Sequence, residues 1–361
     1  MRTICFVFAS LVAWSQIVAC TPARDAAENA VVLTEVARSD RQWTGIAISP
    51  DERIFVNYPR WSDDVPVSVG ELSDDGTVMP YPNEEINRWR EGADPGEHFV
   101  CVQSVVIDRE GFLWILDPAN PKFQGVIPGG AKLLKIDLGS KQIIQRVLFP
   151  ESIAFPKSYL NDVRIDTQRQ IAYITDSGVG AIVVVDLNTG ASRRLLDEHF
   201  STSSENITLN IGGKPWIRPD GIVPQVHADG LALDPEGQYL YYQALSGRNL
   251  YRIDTEWLRN AQYSAELVAG KVEHLQQSGA SDGLLYGQDH RVYISALEEN
   301  AVKAYRISDG QVEIVVKDEM LAWPDSFAAG PDGAIYVTTS QIHLWRQIKE
   351  PYKIFRIGPT H

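Results

Sequence analysis

The stretch that decides the fold is His227-Ala-Asp-Gly-Leu-Ala-Leu-Asp-Pro-Glu-Gly-Gln-Tyr-Leu-Tyr-Tyr242. It reads as a short apolar strand, a turn built from Asp, Pro and Gly, and a second strand rich in tyrosine. The pattern returns as Ala280-Ser-Asp-Gly-Leu-Leu-Tyr-Gly-Gln-Asp-His-Arg-Val-Tyr-Ile294 and as Trp323-Pro-Asp-Ser-Phe-Ala-Ala-Gly-Pro-Asp-Gly-Ala-Ile-Tyr-Val337. Weaker copies begin at Gln42, Cys101 and Tyr159. Strand, tight turn and strand recurring with a period of about 40–70 residues is the mark of a radial array. Six such units predict an all-β chain folded as a six-bladed β-propeller.

The remainder of each period supplies the outer half of a blade. Third strands are expected at Lys132–Asp137, Ala181–Asp186, Asn249–Asp254 and Ala301–Arg306, and more polar fourth strands at Ile143–Phe149, Ser192–Leu196, Ala265–Val268 and Gln311–Val316. Four antiparallel strands make one blade. The last period stops after its third strand, Tyr352–Ile357, while Val31–Ala37 has no inner-strand motif of its own. The N-terminal segment is therefore expected to complete the last blade and close the ring, which leaves no open edge. One domain, residues 31–361, takes up the chain after its leader, with its core spread over the blade interfaces rather than gathered in one centre.

The leader has a different character. Met1-Arg2 gives a positive start, Ile4–Ala13 a short apolar core and Ile17-Val-Ala-Cys20 a small-residue processing site ending on cysteine. The apolar run is too short to span a bilayer as a mature helix. Residues 1–19 read as a lipoprotein signal peptide, Cys20 as the lipid acceptor, and residues 20–30 as a polar, Ala-rich tether. An ordinary cleaved signal peptide would leave the cytoplasm too, so the expected location is extracytoplasmic, in the periplasm or cell envelope. Membrane contact is then expected only through the N-terminal anchor. A net charge of −14 with dispersed basic residues argues against nucleic acid and anionic membrane surfaces as partners. Cys101 is the one cysteine beyond the leader, so no disulfide forms within the domain, and it reads as a small buried hydrophobe rather than a nucleophile.

Aligning the copies on their first strand puts one residue per blade in the same place: Thr44, Gln103, Asn161, Asp229, Asp282 and Asp325. The innermost strands of a propeller line its channel, so these residues converge on one mouth. An oxygen-rich ring suits hard cations, and Asn161, Asp229, Asp282 and Asp325 form a candidate set for a divalent ion such as Ca²⁺, Mn²⁺, Zn²⁺ or Mg²⁺. An Asp before Gly equally serves to fix a turn by bonding its own backbone. Trp43, Tyr159, Arg164 and Trp323 neighbour the ring as candidate ligand-binding residues, the aromatic ones by stacking or cation–π contact; such rings also serve as plain core. His227, two residues before Asp229, is a candidate acid or base beside it, or a structural hydrogen-bonding group. The acid-rich loop Arg60–Asp75 lies between strands, and the insertion Asp197–Val226 is placed to cover the mouth. The chain has no Gly-rich phosphate loop, Gly-x-Ser-x-Gly elbow, Cys-x-x-Cys or His-Glu-x-x-His.

Tyr58-Pro-Arg-Trp61 with Val65-Pro66, Leu113-Trp-Ile-Leu-Asp-Pro118, Leu160-Asn-Asp-Val-Arg-Ile-Asp166, Tyr173-Ile-Thr-Asp-Ser-Gly178, Leu240-Tyr-Tyr-Gln-Ala-Leu-Ser246 and Leu321-Ala-Trp-Pro-Asp325 occur in this order. In that combination the chain resembles the major royal jelly protein/yellow family in a bacterial version, from about Trp43 onward. The resemblance implies a secreted six-bladed propeller; family members include nutrient proteins, binders of biogenic amines and proteins linked to dopachrome conversion. More distantly the chain is similar to the gluconolactonase/senescence-marker/luciferin-regenerating superfamily, whose lactonases hold a divalent cation with Glu, two Asn and Asp. There Asp282 matches a ligand Asp, Asp229 stands where an Asn would be and Thr44 takes the place of the Glu. Two readings follow. One is a metal-assisted lactonase-like hydrolase or isomerase, with Asp229 or His227 moving the proton. The other is a non-catalytic protein that binds a small aromatic, amine or polar ligand in the same channel. The oligomeric state is not fixed by the sequence.

Overall fold

The computed structural model describes residues 31–345, 347–348 and 350–359. The leader, Cys20 and the tether lie outside the described residues. Six four-stranded antiparallel sheets are arranged as a six-bladed β-propeller, five of them running in chain order from an inner to an outer strand. The inner strands are Ile46–Ile48, Ser104–Ile107, Leu160–Asp166, Ala228–Leu233, Ser281–Tyr286 and Pro324–Ala329. In blade 6 the order is Pro324–Ala329, Ile335–Thr339, Tyr352–Pro359 and then Val31–Ser39. The N-terminal strand therefore completes the last blade as expected, pairing from Val31 opposite Pro359 to Ser39 opposite Tyr352.

The turn between the first two strands of a blade is held by its aspartate. Asp108 accepts from the amides of Glu110 and Phe112 and from the Trp114 indole at 2.7 Å. Asp234 accepts from the Gln238 amide in the same manner. These short polar turns explain why the repeat is legible: the side chain bonds the backbone locally and the flanking apolar runs extend from it. Each seam between blades holds its own apolar cluster, for example Val100, Trp114, Leu116, Val163, Ile174 and Val183 between blades 2 and 3. The core is thus divided among the interfaces, as the periodicity implied.

Two strand assignments need correction. Ala265–Val268, expected as the fourth strand of blade 4, lies in a short helix, Ala265–Ala269: the Ser264 hydroxyl accepts from the Leu267 amide and Gly270 follows its end. The fourth strand is Glu273–Gln277 instead. Four residues with one helix-capping serine are too few to separate the two periodicities in sequence. The region Arg60–Asp75 is also not all loop, because it contains Val69–Leu72, the third strand of blade 1.

Closure should dominate stability. Deleting residues 31–37 strips most of the partner from Tyr352–Pro359 and opens an edge. Thermal denaturation of the truncated domain is expected to show a melting temperature at least about 10 °C lower, or aggregation before unfolding; unchanged melting would refute the closure argument.

Candidate functional site

The inner strands of blades 3 to 6 each break register at the same place, between Leu160 and Val163, Ala228 and Leu231, Ser281 and Leu284, and Pro324 and Phe327. Such bulges re-aim side chains and gather near functional sites. Here they contain Asn161-Asp162, Asp229-Gly230, Asp282-Gly283 and Asp325-Ser326. The glycines answer a packing demand. A Cβ on Gly230 would stand 2.5 Å from the Asp282 carbonyl oxygen, and one on Gly283 would stand 2.3 Å from that of Asp325. Hydroxyls stitch the same level together: Thr175 donates to the Asp229 carbonyl at 2.7 Å, and Thr338 to that of Thr44 at 2.5 Å across the closing seam.

Asp229, Asp282 and Asp325 consequently meet, and only 4%, 7% and 2% of their surfaces remain exposed. Burial pushes the Asp229 carboxyl well above its ordinary range, helped by the charges of Asp282 and Asp162. Burial likewise raises Asp282, to about 7, against the opposing bond from the Trp323 indole. Asp325 is raised well above its usual value by burial and by Asp282. Asp229 and Asp282 are within hydrogen-bonding reach, so Asp229 in its protonated form donates to the Asp282 carboxylate. Two like charges this close in a low-dielectric setting divide their protons between them.

The ring is lopsided. In the first half Thr44 accepts from Asn57, Gln103 accepts from the Tyr159 hydroxyl at 2.9 Å, and Asn161 gives its amide to Ser177 at 3.0 Å. Asp162, which the repeat alignment passed over, joins the carboxylates electrostatically and accepts from Ser104, from the Leu231 amide and from Arg164. Arg164 does not wait for a ligand: its guanidinium bonds the Val163 carbonyl and, from blade 3 to blade 5, the Leu284 carbonyl at 2.7 Å.

Trp323 is fully buried and donates its indole N–H to Asp282 Oδ2 at 2.6 Å. Its backbone is in the left-handed region at φ 61°, unusual for a bulky residue. Trp216, from the Asp197–Val226 insertion, packs edge-on against it at 4.9 Å, and the His343 ring stacks on it at 5.8 Å. The insertion thus contributes directly to the cover over Asp282. Trp43 is core, in the seam between blades 6 and 1. His227 accepts the Ser204 amide on Nδ1 at 3.1 Å, which places a neutral ring's proton on Nε2 and leaves it a donor rather than a base. Cys101 is buried, with its thiol pushed up to about 12 by burial, and so is not a thiolate nucleophile.

Among the described residues, no group of three or more His, Cys, Asp or Glu side chains is arranged to hold a metal ion. In kind, though not in arrangement, the donors suit a hard cation: Asp229, Asp282 and Asp325 offer carboxylate oxygens, and among the described residues none of the three is ion-paired with a Lys, Arg or His. To bind an ion, Asp229 would have to lose its proton and turn from Asp282.

Residues 100–355 match the family model described as "Major royal jelly protein", and the chain belongs to that family. Major royal jelly protein 5 of Apis mellifera is 26% identical over 63% of this chain and 37% of its own length. The chain spans between 37% and 50% of the first curated relatives it matches. Among solved structures, a gluconolactonase from Xanthomonas campestris superposes with a TM-score of 0.57 at 14% identity, covering 94% of each chain. A protein described as calcium-binding regucalcin from Agrobacterium tumefaciens gives 0.52 at 15% identity over 91% of this chain and 95% of its own. At such identities these likenesses concern the fold alone.

The carboxylate cluster makes a signed prediction. A folded pKa raised above the unfolded one means that the folded state binds more protons in between, so stability falls as pH rises from about 4 to about 7. Asp282→Asn removes part of that cost. It is expected to raise the melting temperature by several degrees at pH 8 and to leave it nearly unchanged at pH 4, as measured by calorimetric melts at both pH values.

Proposed function

We propose that this protein processes a small molecule at the channel mouth, as a lactonase-like hydrolase or isomerase working through the Asp229–Asp282 pair. One arrangement carries this reading: the buried Asp229 and Asp282 carboxyls stand within hydrogen-bonding reach of each other at the channel mouth, where burial raises both. A pair held in this way can divide into an acid and a base. In lactone hydrolysis, Asp282 takes a proton from the water that adds to the carbonyl carbon. Asp229 gives its proton to the ring oxygen as the carbon–oxygen bond breaks, and the hydrogen bond between the two then returns the proton. For substrate to enter, the Trp323 indole must leave Asp282. A divalent cation, if bound, would be held by Asp229, Asp282, Asp325 and Asn161 and would polarise the carbonyl; a fold neighbour is described as calcium-binding. Wild type should hydrolyse members of a panel of small lactones in a pH-stat assay, with the rate rising through about pH 7 as Asp282 ionises. Asp229→Asn and Asp282→Asn should each lower turnover at least about 100-fold. Chelator treatment followed by Ca²⁺ or Mn²⁺ tests the cation. Variants as active as wild type would overturn the assignment.

A second reading rests on the same uncompensated carboxylates. A small organic amine could supply the missing positive charge beside the Trp323 ring, which would make the protein a binder rather than an enzyme. Calorimetric binding of an aryl ethylamine, abolished in Asp282→Asn and accompanied by no lactone turnover, would favour it.

We also propose that the protein works outside the cytoplasm, tethered to a membrane through lipid on Cys20, on the strength of the leader Met1–Cys20. Wild type should fractionate with membranes and Cys20→Ser should not. Wild type found freely soluble after cleavage would refute the anchor.

A further inference from the structure

A cavity of about 360 Å³ opens where the loop between the second and third strands of blade 2 meets the loop leading into blade 3. Phe123, Gln124, Pro156, Lys157 and Tyr159 line it. Phe123 is 61% exposed, yet its ring stands in a row with Trp61 at 5.6 Å and Tyr159 at 5.0 Å. Ala119, Lys122 and Phe123 all lie in the left-handed region, at φ 51°, 55° and 56°. Strain of this kind persists only where the surroundings impose it.

The surroundings here are rigid. The Asn120 side chain accepts from the Gly125 amide at 2.8 Å and donates to the Ser158 carbonyl at 2.9 Å, tying the two loops together. The Lys122 amide bonds the Arg60 carbonyl, and its amine bonds Asp63 at 2.6 Å. The Val126 amide bonds the Pro156 carbonyl. Phe123 is thus presented to solvent by a fixed frame, although its burial elsewhere would have stabilised the chain.

The polar character of the cavity selects the occupant. Lys157 is the one charged lining residue, and no lining residue is acidic, on a chain of net charge −14. The Tyr159 hydroxyl is already used, accepting from the Trp61 indole at 2.6 Å and donating to Gln103 at 2.9 Å, and the ring is buried beneath Phe123, so Tyr159 gives the cavity only an apolar edge. We propose that this cavity is a second binding site, for a planar aromatic carboxylate: the ring lies on the exposed Phe123 ring, and the carboxylate meets Lys157. It is independent of the acid–base reading, because Asp229, Asp282 and Asp325 stand on the inner strands of blades 4 to 6.

Isothermal titration of the folded domain with indole-3-acetate, indole and tryptamine tests the proposal. Saturable heat is expected with indole-3-acetate, with indole and tryptamine weaker by about tenfold or more. Phe123→Ala and Lys157→Gln should each weaken indole-3-acetate by about tenfold, Lys157→Arg should restore it, and Asp282→Asn should bind as wild type. Phe123 and Lys157 lie at the surface, so unchanged melting temperatures will show that these variants are folded. Absence of saturable binding, equal or tighter binding of tryptamine, or affinity unchanged in both variants would overturn the site.

Discussion

The constraint on which the rest of this structure depends is the close approach of neighbouring inner strands around the channel. At Gly230 and Gly283 the next blade's backbone oxygen stands where a Cβ would be. That spacing allows one bulge per blade to turn a side chain toward the axis, and in blades 4 to 6 the side chain is an aspartate. The Asp-Gly pair that made the repeat readable is therefore a packing solution and a chemical one together. Glycine admits the next blade, and the preceding residue is aimed inward.

Convergence has an electrostatic consequence. Three buried carboxyls cannot all ionise without a compensating charge, and Arg164 is committed to Asp162 and to carbonyls of blades 3 and 5. A protein selected only for stability would be expected to replace such a cluster with apolar side chains. Its presence beside Trp323, whose backbone is left-handed, is what the proposed acid–base function would use. The carboxyls gather on one side of the mouth, with hydroxyl and carboxamide groups at the equivalent positions of blades 1 to 3.

Legibility followed the range of the interactions. The blade turns depend on side chains bonding backbone within a few residues, as at Asp108 and Asp234, so six blades and the ring closure could be read directly. Ring positions were legible too, because a radial repeat converts sequence equivalence into proximity. What could not be read depends on neighbours distant in sequence. Asp162 enters the cluster through a bulge that shows only in the pairing register, and Arg164 looked available because its acceptor on Leu284 lies two blades away. Trp43 and Trp323 are both aromatic neighbours of ring positions, yet the first is seam core and the second bonds Asp282. The helix at Ala265–Ala269 and the strand Val69–Leu72 fall where short segments carry too few residues for either period to emerge.

The mouth of the ring is covered above Asp282. Trp323 fastens Asp282 from above by one hydrogen bond, and it is itself held by Trp216 and His343, which come from the blade 3–4 insertion and the loop of blade 6. The Trp345 indole joins the two loops by bonding the Ile217 carbonyl, and the insertion is bonded to the blades by the Asn210 amide to Glu298, Ser201 to Tyr242 and Glu205 to the Arg248 and Asn249 amides. The inner strands beneath are bonded along their length. On the proposed reading, specificity would reside in these covering segments and proton transfer in positions fixed by the packing of the six inner strands.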